Sequence, residues 1–394
     1  MYQHKHNYIY QFIPKDFQYL TQQQKIQFEG KNLKTSYLIN IIHEFLVKYY
    51  FSNNTETKFN ISSKILRKKY GEFYNYYIKY LMEKKFISLV SKYYVGKKTN
   101  TYKIDIQNVY DTIRHKNYDK ILIKKLKRDI YEASITEISN SPIPLHIRKK
   151  LVENLQKITI DYDSSINFLD DLKSKKLIDI SKYKKNEISV ENIHINNIYF
   201  KFDSFGRFHT NFTILKKEIR NNHLSIDNGR LTELDIPNSQ PLFFAILLKT
   251  EIPHINGDTK RYFELVKNGL IYDDITEKSR IKDRKGAKEL MYKVLFGNNE
   301  DNKKENRIFK KLYPSVHEYI LEYKLEKKNY RFLSHKLQNM ESEFMFNDVV
   351  SEVMEKYPKL VFFTVHDSII FPVKYKNEIK VIFDKHLNRL ISKI

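Results

Sequence analysis

Residues 362–372 read FFTVHDSIIFP: one apolar run stops at His366-Asp367 and a second begins at once. Two short apolar runs around a polar pair describe a buried hairpin with an imidazole and a carboxylate at its tip. A carboxylate at the end of a buried strand costs desolvation energy unless a cation or a hydrogen-bond donor meets it. A second strand-like stretch, GRLTELDI (229–236), also runs into a carboxylate, Asp235, before Pro237 interrupts it. Side by side, two such strands would bring Asp235 and Asp367 to one edge of a sheet. Mg2+, a hard cation that takes oxygen ligands, suits that arrangement. A pair of ions about 3.5–4 Å apart would activate an attacking hydroxyl and stabilise a leaving pyrophosphate. One acid in such a place is more often a cap or turn residue, so the pair needs support from elsewhere in the chain.

DRKGAKELMYKVLFGNN (283–299) offers that support. Arg284, Lys288, Tyr292 and Phe296 are each four residues apart, and at 3.6 residues per turn each step drifts by only about 40°. All four share one broad helical face. Cations at one end of this face can hold a triphosphate, and rings further along can stack on a base. Gly297 suits a helix C-cap or the close approach of a base pair. Alone, the segment would read as a routine amphipathic helix with its basic residues in water.

The rest of the chain sets limits. It has 394 residues, 41% hydrophobic and 30% charged, which fits a globular protein of two or three domains with a sizeable core. Cysteine is absent, which removes disulfides, thiolate metal sites and cysteine nucleophiles and fits a reducing compartment. A formal net charge of +23 favours a polyanionic partner, nucleic acid above all, although abundant Lys, Asn, Ile and Tyr also fit an AT-rich coding bias. No apolar run reaches the ~18–20 residues of a membrane span. The N-terminal MYQHKHNYIYQF has no secretory apolar region. These features lead us to expect a cytoplasmic protein with no membrane partner.

The first half reads as helical and rich in Lys. TSYLINIIHEFLVKYYF (35–51), SSKILRKKYG (62–71) and EFYNYYIKYLMEKKFI (72–87) have helical spacing, and SLVSKYYVGKKTNTYKI (88–104) reads as two strands around a Gly-Lys-Lys turn. Three helices and a basic hairpin describe a winged helix, its third helix entering a major groove; the plainer alternative is a basic helical subdomain. Basic amphipathic helices follow at 118–132 and 149–157. Past residue 195 the character changes. NIYFKFDSFGRFHTNF (197–212) shows aromatic alternation, SQPLFFAILLKT (239–250) reads as a buried helix, and 275–297 and 332–355 read as long helices. Interleaved strands and long helices make the second half α+β.

The order of these segments resembles family A polymerases, the DNA polymerase I-like enzymes and the related phage-type single-subunit RNA polymerases. ELDIPNSQPLFF resembles their first motif, Arg284, Lys288 and Phe296-Gly297 the second, and Val365-His366-Asp367 the third. GRFHTNF (206–212) is similar to the Gly-Arg segment before the first motif, and HKLQNMESEF (335–344) to the Gln-bearing helix before the third. The resemblance covers about 200 residues, from roughly 195 to 394. It implies a right-hand fold: a palm with an antiparallel sheet, helical fingers and a helical thumb. Residues 1–110 would then be a basic helical or winged-helix-like nucleic-acid-binding region, 111–195 a thumb-like region, and 196–394 palm and fingers. The first half has no acidic cluster for a proofreading exonuclease and is too short for one plus a thumb.

The same resemblance assigns roles. Asp235 and Asp367 would hold two Mg2+ ions, with Mn2+ as an alternative. Arg284 and Lys288 would bind the incoming triphosphate, and Lys288 would protonate the pyrophosphate. Tyr292 and Phe296 would pack against the sugar and the nascent base pair. Arg207 and Gln338 would touch the duplex near the primer end, and His366 would sit beside the primer terminus. Partners would be a DNA primer–template and dNTPs or NTPs, bound by a monomer. Some positions depart from the family pattern. Gln240 stands where the DNA enzymes carry a Glu that screens the ribose 2′-hydroxyl. Ser368 follows Asp367 as in the RNA enzymes, and Phe296 replaces a Tyr. Tyr292 and the bulk of Gln240 favour a DNA-directed DNA polymerase of a plasmid, phage or other mobile element. A compact single-subunit RNA polymerase is the alternative, and a non-catalytic replication protein on a decayed palm the second.

Overall fold

The computed structural model describes residues 7–52, 58–92, 99–104, 109, 111–139, 141–252, 257–298 and 304–394. The chain divides into two compact units. One comprises residues 1–136, 158–199 and 210–224; the other comprises 137–157, 200–209 and 225–394. Both mix helix and sheet. Among the described residues no helix is long and apolar enough to cross a membrane.

The first unit contains the expected helices, Thr35–Phe51, Ser63–Tyr70 and Tyr74–Glu83. Thr35–Phe51 is the central one, burying Leu38, Ile42, Phe45 and Leu46 in an aromatic-rich core with Tyr50, Tyr77 and Phe86. The strands Ile87–Ser91 and Asn100–Ile104 pair antiparallel as expected. The turn expected at Gly96-Lys97-Lys98 lies outside the described residues. This unit is less helical than the sequence suggests. Lys58–Ile61 adds a third strand along Asn100–Ile104, Lys25–Phe28 and Lys31–Lys34 form a hairpin, and Ile9–Pro14 pairs with Thr112–Asn117. Ile9 lies opposite Asn117, so this strand's partner is remote in sequence and local periodicity does not report it.

In the second unit we label the elements that position the site: β1 (Phe200–Phe202), β2 (Phe208–Thr210), β3 (Leu224–Ile226), β4 (Gly229–Asp235), α1 (Ser239–Glu251), α2 (Arg284–Phe296), α3 (Arg331–Glu343), β5 (Phe363–Val365) and β6 (Ser368–Pro372). β1 and β2 form a hairpin, and the sheet runs β5-β6-β4-β3. β6 lies between β5 and β4 and is buried at all five residues, which explains an apolar run without alternation. Asn154, on the helix Leu145–Leu155, donates to the Phe362 carbonyl (2.8 Å), satisfying a backbone group just ahead of β5.

α1 is buried from Ser239 to Leu248 and apolar nearly all round, the pattern of a core helix rather than a surface one. α3 packs against both α1 and α2. The expected long helix at 275–297 is instead two, Ile271–Lys278 and α2. Asp283 ends the break between them by accepting the Gly286 N–H (2.8 Å) as N-cap of α2. The long helix at 332–355 is continuous but not uniform, because α3 passes into a π-helical stretch, Phe344–Val350, before the α-helical Ser351–Lys356.

Candidate functional site

Asp235 and Asp367 stand at the same edge of the sheet. β4 and β6 run antiparallel with Leu231 opposite Pro372 and Asp235 opposite Ser368, the residue after Asp367. Beyond that pair, the Ile236 N–H donates to the Asp367 carbonyl (3.3 Å). The β5–β6 turn holds only His366 and Asp367, with Val365 opposite Ser368 and the Ser368 hydroxyl donating to the Val365 carbonyl (2.9 Å). His366 takes the left-handed conformation (φ 53°) that a two-residue hairpin asks of its first central residue. Histidine tolerates this conformation better than most side chains, and the turn leaves His366 exposed at the tip.

The electrostatics around Asp367 are unbalanced. Burial pushes its carboxyl up to about 7, and the neighbouring carboxylates Glu341 and Asp235 push it the same way, against a hydrogen bond from its own backbone N–H. Excess negative charge of this kind is what a divalent cation relieves. Two carboxylates suffice for an ion that keeps waters and takes its other oxygens from phosphate. The donor set therefore fits Mg2+, although among the described residues no group of three or more His, Asp or Glu is gathered to hold a metal.

Glu341, which sequence reasoning passed over, is the hub of the site. It lies on α3, 3% exposed. It accepts from Arg207 Nη2 (2.9 Å), from the Ser239 hydroxyl (3.0 Å) and from the Gln240 amide. Leu333, Leu337 and Glu341 are each four residues apart and all buried, so the signal was an acid continuing an apolar stripe. Gln338, the residue first assigned to this helix, is half-buried one turn earlier. Arg207 owes its position to a tight loop. The Asp203 carboxylate accepts the N–H groups of Phe205 and Arg207 (both 2.9 Å) and holds His209 through its other oxygen (2.8 Å). Gly206 sits between them at φ +81°, its carbonyl accepting from Ser342. The His209 ring in turn meets the His366 ring edge-on at 6.1 Å.

α2 brings its aromatic residues to the same place. The Tyr292 hydroxyl is pushed up to about 12 by burial and by the charges of Asp367 and Glu341, with Arg207 opposing, so it lies within electrostatic reach of all three. Phe296 lies against the Tyr292 ring (centroids 5.3 Å apart, tilted 40°), and the Lys288 ammonium sits over the Tyr292 ring at 5.7 Å. Lys288 and Arg284 are exposed. Arg284 bonds Asp273 and the Gly269 carbonyl (3.3 Å) and lies over the Tyr272 ring at 5.3 Å. Gln240, far from being a projecting side chain, is 3% exposed and tied to Glu341. Of the sequence-derived residues, Arg207 and Gln240 bond Glu341 directly, Asp367 and Tyr292 feel its charge, and Asp235 joins through Asp367, whereas Arg284 and Gln338 have no such link among the described residues. Lys288 and Phe296 join through Tyr292, and His366 through Asp367.

No protein-family model matches the chain, and no curated protein does. Among solved structures, one described as the POL domain of Pol1 from M. smegmatis in complex with DNA primer-template and dNTP is similar over 69% of this chain and 70% of that one, with a TM-score of 0.42 and 11% identity. At that level the likeness assigns neither activity nor residues.

Proposed function

We propose that the second unit catalyses template-directed nucleotidyl transfer as a DNA-directed DNA polymerase extending a primer, with β3–β6 as a palm and α2 as part of the fingers of a right-hand fold. Residues 1–110 would be a nucleic-acid-binding region and 111–195 a thumb-like one. The observation that carries the reading is the meeting of Asp235 and Asp367 at one sheet edge, with Tyr292 of α2 within electrostatic reach of Asp367.

The reaction is in-line phosphoryl transfer, in which positioning and charge neutralisation do most of the work. Asp235 and Asp367 would hold two Mg2+ ions, which when bound supply activation of the primer hydroxyl and neutralisation of the pyrophosphate. Arg284 would release Asp273 to grip the triphosphate, and Lys288 would give a proton to the departing pyrophosphate. Tyr292 and Phe296 would form the floor under the nascent base pair. Arg207, held by Glu341, would face the primer–template near its end, with Gln338 on α3 and His366 beside the primer terminus.

A single-subunit RNA polymerase is the second reading, favoured by one observation: Gln240 is buried against Glu341, so its bulk does not stand free to screen a 2′-hydroxyl. A labelled primer–template with Mg2+ and either dNTPs or NTPs separates the two. We expect extension with dNTPs, lowered at least about a hundredfold in Asp367→Asn. Extension only with NTPs selects the second reading. No extension by the wild type with either set leaves a non-catalytic nucleic-acid-binding protein.

A further inference from the structure

We propose that the first unit carries a docking surface for duplex DNA, read in the major groove by the helix Tyr74–Glu83, separate from the polymerase chemistry and not resting on it. The two helices Ser63–Tyr70 and Tyr74–Glu83 are joined by only three residues, 71–73, and the turn opens on Gly71 at φ +82°, a conformation that glycine adopts without strain. Two helices joined by a short turn that contains Gly are the parts of a helix-turn-helix, whose second helix enters the groove. The small sheet Lys58–Ile61, Asn100–Ile104, Ile87–Ser91 accompanies the pair.

One face of the second helix is spent on the core through Tyr77, Ile78, Tyr80 and Leu81. The opposite stripe carries Asn75 and Tyr76 in the first turn and Lys79 about one turn further on, and Asn75 and Lys79 are exposed. An amide can bond the N6 and N7 of adenine as a pair, and an ammonium can reach the N7 and O6 of guanine. Phe73, 54% exposed at the end of the turn, has the Lys31 ammonium over its ring at 4.9 Å and lies edge-on to Tyr76 at 6.1 Å. Lys64 is exposed on the preceding helix. Lys31, beside Phe73, and Lys64, on the preceding helix, are the phosphate contacts of this proposal. Lys79 is paired with Glu29 (2.9 Å), but both are well exposed, and an exposed pair of this kind is weak enough to exchange for phosphate.

The charge of the region complements a polyanion: over residues 1–110 Lys and Arg outnumber Asp and Glu by more than two to one. Duplex DNA is the occupant because an α-helix fits its wide major groove. The deep, narrow major groove of duplex RNA does not admit one.

The test uses the full-length protein and a pool of random-sequence DNA duplexes, from which bound duplexes are recovered and sequenced, followed by fluorescence anisotropy on the enriched duplex and on an unselected one. We expect a preferred sequence to emerge. Asn75→Ala should weaken binding to the enriched duplex roughly tenfold or more and leave the unselected duplex unchanged. Lys31→Ala and Lys64→Ala should weaken both duplexes alike, each lowering the slope of log affinity against log salt by about 0.9. Thermal melting by circular dichroism checks that each variant is folded, and Asn75→Gln, which preserves helix and polarity, repeats the test if Asn75→Ala is not. Absence of enrichment, tighter binding of single-stranded DNA or RNA than of any duplex, or indifference of the enriched duplex to all three positions would overturn the proposal. A wild type that extends nothing but still selects a duplex sinks the polymerase reading and leaves this one standing.

Discussion

Removing Arg207 should expose how the site is held together. Glu341 is almost wholly buried, and Arg207 is the cation that meets it, Nη2 to Oε1 at 2.9 Å, while Ser239 and Gln240 supply only neutral donors. A pair of unit charges about 4 Å apart at an effective dielectric near 20 interacts by about 4 kcal/mol. Breaking a buried pair from one side costs about 3–5 kcal/mol, because the surviving charge stays buried. The Arg207 side chain is 20% exposed, which places Arg207→Ala near the lower end of that range, about 3 kcal/mol. The double variant Arg207→Ala/Glu341→Gln should recover most of that. Among the described residues the buried Oε1 of Gln240 has no hydrogen-bond partner, which leaves an acceptor for the amide that the second substitution introduces at position 341. Urea unfolding followed by far-UV circular dichroism, with each transition of the two-unit chain fitted separately, measures both. If the single variant loses less than about 1 kcal/mol, or the double variant is as unstable as the single, Arg207 is not there to balance Glu341 and the hub described above is wrong.

Three further outcomes follow from the same structure. Gly206→Ala should destabilise the Arg207 loop by roughly 1–3 kcal/mol, since φ is +81° and a Cβ would meet the Ser342 hydroxyl at 2.7 Å; a variant as stable as the wild type in the same unfolding assay would contradict this. With its carboxyl raised to about 7, Asp367 is protonated below that pH. Mg2+ affinity should therefore climb as pH rises to about 7 and level off above it, with proton release on binding at about pH 6, measurable by calorimetry in buffers of differing ionisation enthalpy. In the metal-free protein the same shift removes stability as pH rises from the ordinary carboxylate range to about 7. Lys324 is 2% exposed and donates to the carbonyls of Val294 (2.7 Å) and Gly297 (2.8 Å) at the end of α2, and burial lowers its ammonium to about 8. Lys324→Met should fray that helix end, costing about 1–3 kcal/mol, with amide hydrogen exchange rising at residues 294–297 and not at the start of α2. In the wild type, stability should increase between about pH 8 and the ordinary lysine range, where the unfolded chain holds the extra proton.

Much of the second unit can be read from local pattern. The apolar runs around His366-Asp367 become β5 and β6, GRLTELD becomes β4 with its terminal Asp235, and the uniformly apolar 239–250 becomes α1, because burial on two faces leaves an unalternating apolar run in the sequence itself. The spacing of Arg284, Lys288, Tyr292 and Phe296 likewise survives as α2. Where the reading stopped short, the deciding partner is distant. Ile9–Pro14 is a strand because Thr112–Asn117 lies beside it, and nothing within either segment announces the other. The break between Lys278 and Arg284 turns on the Asp283 cap, a single hydrogen bond inside a stretch of helical spacing. Composition and spacing determined that this chain holds acids at strand ends, a basic-aromatic helix and an excess of positive charge. Only the tertiary structure decided that Glu341 is the centre of the site. A buried acid is tolerable solely where a cation and donors converge on it, and its cation comes from a loop 134 residues earlier in the chain.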